Sequence, residues 1–91
     1  MSEDQAEAAG LTFNPRQLKR ARVLAGFTQD SLAWTCQLHP LTVARYEQGT
    51  YKPRVRTLRT LARVTKRDIA FFYAWPEHDD EYRARQEAKH E

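Results

Sequence analysis

The sequence predicts an all-α fold, a single small domain of five short helices, on three observations. Apolar residues recur at the three- and four-residue spacing of a helix face, and no stretch alternates for long at the two-residue spacing of a strand. Each such run is bracketed by residues that start or stop helices. The 91 residues give room for one domain and little more. Hydrophobic residues at 41% and charged residues at 30% are ordinary for a folded domain and exclude a chain that is disordered throughout.

Residues 1–12 are acidic, small and polar, and read as a disordered arm. Asn14 followed by Pro15 starts the first helix, because asparagine accepts from free N–H groups and proline at the first position gives up only a donor without a helical partner. This helix runs to about Ala25, with Leu18, Ala21, Leu24 and Ala25 on one face, and Gly26 stops it. Thr28 caps a second helix, Gln29–Cys36, whose inward residues are Leu32, Ala33 and Cys36. Gln37-Leu38-His39 is a tight connection. The third helix, Pro40–Gln48, turns Val43 and Tyr46 inward and ends at Gly49.

Residues 50–55 form a loop around Lys52-Pro53. A fourth helix, about Arg56–Thr65, presents Leu58, Leu61, Ala62 and Val64 or Thr65 to the core. Asp68 caps a short fifth helix through Tyr73, anchored by Ile69 and Phe72. The domain spans residues 13–75. Residues 76–91 read as an acidic tail or a solvated helix, with a weak stripe of Tyr82, Arg85, Gln86 and Lys89.

The formal net charge of +3 conceals an uneven distribution. Residues 1–14 carry Glu3, Asp4 and Glu7 and no base, giving −3. Residues 15–75 set twelve bases against Asp30, Glu47 and Asp68, giving +9, and residues 76–91 set six acids against three bases, giving −3. Nine of the twelve central bases are arginine, whose planar fork matches phosphate oxygens and base edges. A basic centre between acidic ends points to a polyanion, most simply nucleic acid; a solvated surface is the plainer alternative.

Two consecutive short helices with a tight connection describe a helix-turn-helix unit. Leu18-Lys19-Arg20-Ala21-Arg22, Gly26-Phe27-Thr28-Gln29, Leu32-Ala33, Val43, Arg45-Tyr46-Glu47-Gln48-Gly49, Lys52-Pro53, Leu58 and Leu61-Ala62 together resemble the Cro/repressor-type (Xre) family. The resemblance implies a five-helix, lambda-repressor-like DNA-binding domain and a sequence-specific transcriptional regulator on the nucleoid. Asp68-Ile69-Ala70-Phe71-Phe72-Tyr73 looks like versions fused to metallopeptidase-like domains in phage and mobile-element regulators; 91 residues are too few to hold such a domain.

Carried over residue by residue, the resemblance gives Thr28 and Gln29 a phosphate at the N-terminus of the second helix, where free N–H groups and the positive dipole end favour an anion. It pairs Arg22 with Glu47 as a structural ion pair that fixes how the recognition helix is held. On that helix Leu41, Thr42, Ala44 and Arg45 face the groove. Arg45 is the foremost base reader, because bidentate contact with guanine is the commonest specific pairing. Thr42 meets a base edge or a phosphate, and Ala44 packs on thymine methyls. Leu41 either does the same or folds back onto the core. Gln48, Tyr51, Lys52 and Arg54 fall where the family touches phosphates.

The sequence departs from the family pattern at His39, where Ser or Thr usually caps, and at Pro40, where a polar base reader is common. Proline there predicts apolar readout or none. Gln37 replaces the usual turn glycine, and Thr65-Lys66-Arg67 replaces an apolar-glycine-apolar connection. Trp34 stands at a normally polar, exposed position. Phe71, Phe72, Tyr73 and Trp75 crowd the end of the fifth helix and are expected to form a homodimer interface. Two other readings use the same residues: an antitoxin that clamps a small toxin through Trp34 or the acidic tail, and an interaction module that holds a host protein through the aromatic end.

Cys36 alone cannot make an internal disulfide, and with His39, His78 and His90 it builds no structural zinc site. It is expected in the core, as an inert replacement for leucine. No nucleophile–base grouping, phosphate loop or paired carboxylate appears, so neither catalysis nor a cofactor is expected. No apolar run approaches the ~20 residues of a membrane span, and the acidic start is unlike a signal peptide. Together these place the protein in the cytoplasm.

Overall fold

The computed structural model describes residues 12–73. The expected acidic arm up to Leu11, Trp75 and the 76–91 segment lie outside the described residues. Four α-helices follow one another: α1 (Pro15–Leu24), α2 (Gln29–Thr35), α3 (Pro40–Gln48) and α4 (Val55–Thr65). A five-residue 3-10 helix, Ile69–Tyr73, comes next. There is no strand among the described residues. The class is all-α, and the expected fifth α-helix is a single tighter turn. Asp68 Oδ1 still caps it, accepting from Ala70 N at 2.8 Å.

That turn explains a second correction. The tighter winding drives both Phe72 (0% exposed) and Tyr73 (2%) into the chain's own core, against α1 and α4, so neither lies at a surface where a partner copy could meet it. Phe71 is left half-buried, edge-on to Phe72, with the Arg67 guanidinium 5.2 Å above its ring. The turn is stitched to the start of α1: Asn14 N donates to Phe72 O at 2.7 Å, and Gln17 Nε2 donates to Phe71 O at 2.9 Å. Asn14 also caps α1, its Oδ1 accepting from Arg16 N.

The core gathers Phe13, Leu18, Ala21, Leu32, Ala33, Cys36, Val43, Tyr46, Leu58, Leu61 and Ala62 around that pair. Leu24 and Ala25 do not join it, and Leu24 is 63% exposed. The helix ends at Leu24, and beyond it Phe27 packs against the core. Polar Gln17 takes the buried place that the apolar stripe assigned elsewhere. Burial pushes the Cys36 thiol upward, against the opposing charge of Arg63, which keeps the thiolate scarce.

The helix-turn-helix is α2 and α3. A capping box opens α2: Thr28 Oγ1 accepts from Ser31 N at 3.0 Å, and Ser31 Oγ accepts from Thr28 N at 2.9 Å. Gln37 makes the turn in the left-handed region, at φ 59°, where glycine would stand at lower cost. His39 does the work of the usual Ser or Thr, its Nδ1 accepting from Leu41 N at 3.1 Å. Gly49 closes α3 at φ 80°, letting Thr50 N donate to Arg45 O at 3.0 Å.

The His39 cap gives a direct test. His39→Ala should lower stability in urea melts by about 1 kcal/mol, as loss of an N-cap acceptor does, and His39→Ser should restore most of it.

Candidate nucleic-acid interface

Glu47, near the end of α3, holds together the three helices that carry the candidate interface. Its Oε2 accepts from Arg22 Nε at 2.6 Å and its Oε1 from Arg22 Nη2 at 3.1 Å, a two-pronged pair. The two side chains are 11% and 4% exposed. Arg22 Nη1 donates to Phe27 O at 3.0 Å, so the same guanidinium grips the α1–α2 connection. Gln29 Nε2 donates to Glu47 Oε1 at 3.2 Å. The first residue of α2 and the last turns of α1 and α3 are thus joined through one carboxylate.

With Val43 and Tyr46 buried, α3 turns Leu41 and Gln48 to solvent and leaves Thr42, Ala44 and Arg45 half-buried along the same outward side. Leu41 does not fold back onto the core; it is 48% exposed. Thr28 stands exposed at the start of α2, and Tyr51, Lys52 and Arg54 are exposed in the loop after α3. The Arg45 guanidinium lies 5.3 Å from the centre of the Tyr51 ring. The Gln29 amide nitrogen gives one of its hydrogens to Glu47.

Three arginines escaped the sequence reading. Arg56, Arg59 and Arg63 are exposed and follow one another at helix-face spacing along α4. With Val55 and Thr60 they line an open groove of about 510 Å³. The signal was present in their spacing of three and four, and between Gln48 and Asp68 the chain has seven bases and no acid. A second groove of about 540 Å³, lined by Leu24, Ala25, Phe27 and residues 64–67, sits between the ends of α1 and α4. Among the described residues no three or more His, Cys, Asp or Glu side chains gather as a metal site would need. No described helix is long and apolar enough to cross a membrane.

A helix-turn-helix with its second helix exposed beside a basic loop is the architecture of a DNA-binding domain. The chain matches the Cro/C1-type, Xre-like helix-turn-helix family over residues 18–72, more than half its length, and belongs to that family. The family is one of DNA-binding transcription regulators rather than enzymes. No curated protein matches the chain.

Removing one side of the Arg22–Glu47 pair strands a buried charge. Arg22→Met or Glu47→Leu alone should each cost about 3–5 kcal/mol in denaturant unfolding. The double variant should cost less than the two added together, by about 0.5–3 kcal/mol, the coupling expected of directly bonded partners.

Proposed function

We propose that this chain is a sequence-specific, operator-binding transcriptional regulator, a repressor of the phage or mobile-element type, acting in the cytoplasm on the nucleoid. The observation that carries this reading is the outward side of α3, held by the Glu47 network and flanked by Lys52 and Arg54. Arg45 reads guanine, while Leu41, Thr42 and Ala44 meet base edges and thymine methyls. Thr28, Gln29, Gln48, Lys52 and Arg54 hold phosphates, with Tyr51 beside them. Pro40 at the first helical position has no N–H to give, so readout there is apolar.

The regulator works as a homodimer, with two α3 helices about 34 Å apart on a nearly palindromic site. Phe71, half-buried, and Trp75 are the aromatic residues left for that contact once Phe72 and Tyr73 are counted in the core. Sedimentation at tens of micromolar, with and without operator, tests the assembly; a monomer in both cases ends the symmetric version. An antitoxin reading draws support from Trp34, which is 68% exposed on α2. Co-purification of a second small chain that Trp34→Ala abolishes would favour it.

Binding should weaken steeply with salt, each neutralised phosphate adding about −0.9 to the slope of log K against log salt. Arg45→Ala should remove about 1–3 kcal/mol of preference for the selected operator over random duplex. Lys52→Ala should weaken both duplexes alike and make the slope shallower by about 0.9. A flat salt response with no preference among genomic fragments rejects the proposal.

A further inference from the structure

We propose that Tyr51 is a positioning residue for sequence readout, its ring a platform that holds the Arg45 guanidinium ready for a base. This rests on Arg45 acting as the base reader. The contact is built by the backbone. Gly49 reverses the chain in the left-handed conformation, and Thr50 N and Tyr51 N both donate to Arg45 O, at 3.0 and 3.4 Å. That double attachment folds residue 51 over residue 45 and leaves the guanidinium carbon 5.3 Å from the ring centroid.

The geometry suits readout because the two contacts use different parts of the arginine. A ring engages the flat face of the guanidinium, whereas a bidentate contact with guanine uses N–H groups directed outward in its plane. A guanidinium held by the ring through its face keeps its in-plane N–H edge for a base. A long side chain loses rotamer freedom when it docks, and a platform that already restrains it removes part of that loss from binding. The family resemblance places Tyr51 where phosphates are touched, a contact its hydroxyl would make. That role needs one oxygen at the rim; the platform needs only the ring.

The two roles separate on substitution of the full chain. The duplexes are an operator recovered by selecting bound genomic fragments and a random sequence of equal length, read by fluorescence anisotropy. Tyr51→Ala should weaken operator binding about two- to fivefold, the worth of an exposed cation–π contact. Random-duplex affinity and salt slope should stay unchanged. Tyr51→Phe should keep wild-type discrimination. Added to Arg45→Ala, Tyr51→Ala should cost no further discrimination, because the platform then has nothing to hold. The platform is overturned if Tyr51→Phe falls as far as Tyr51→Ala. It is overturned equally if Tyr51→Ala weakens both duplexes alike with a slope shallower by about 0.9, the mark of a phosphate contact. Arg45→Ala with discrimination intact sinks the base-reading assignment itself; discrimination lost with Arg45→Ala but untouched by Tyr51→Ala sinks the platform alone.

Discussion

Glu47 carries its charge into a site where only 4% of its side chain meets solvent, and the fold answers with three donors from two other helices. A carboxylate so placed is costly unless its lone pairs are filled, so α1 and the start of α2 are held where Arg22 and Gln29 can reach it. The apolar core would tolerate small rotations of α3 against α2 and α1, since hydrophobic contact has little directional preference. A two-pronged arginine–carboxylate contact does not tolerate them. The direction in which Arg45 and Thr42 point therefore follows from an interaction on the opposite side of the helix. Phe27 O, bound by the same guanidinium, brings the α1–α2 connection under the same constraint.

Much of this was legible in the sequence because it is local. Asn14-Pro15, Thr28, Pro40 and Gly49 mark helix ends by chemistry that acts within three or four residues, and α3 begins and ends where they put it. The Arg22–Glu47 pair came through family resemblance, since nothing in local pattern relates positions 25 residues apart. Three features stayed hidden for a common reason. Gln17 lies off the apolar stripe of its helix, and its buried amide is answered only by Phe71 O of the 3-10 turn, 54 residues later. Leu24 reads as core by its spacing, yet it is 63% exposed beside the end of α4. Phe72 and Tyr73 cannot both face inward from an α-helix at adjacent positions as readily as they do from a tighter turn. Each depends on distant chain that periodicity does not see.

The departures from family pattern keep the geometry with different atoms. His39 offers an imidazole nitrogen where a hydroxyl is usual, and the first turn of α3 closes on it at 3.1 Å. Gln37 adopts the left-handed conformation that glycine would take more cheaply. The unusual residues thus still cap α3 and make the turn, His39 with a ring nitrogen and Gln37 with a left-handed backbone.

The seven bases and no acid between Gln48 and Asp68 bear on how such a protein finds its target. Charge of one sign spread over a loop and the outward side of α4 attracts any duplex, whatever its bases, and counterion release makes that attraction strong at low salt. On the proposed reading few side chains on α3 tell one base pair from another, so general affinity would be large beside discrimination. A regulator that worked in this way would spend its time bound somewhere on the chromosome and scan by sliding and hopping. Occupancy of its site then depends on copy number and on the excess of competing DNA as much as on intrinsic affinity.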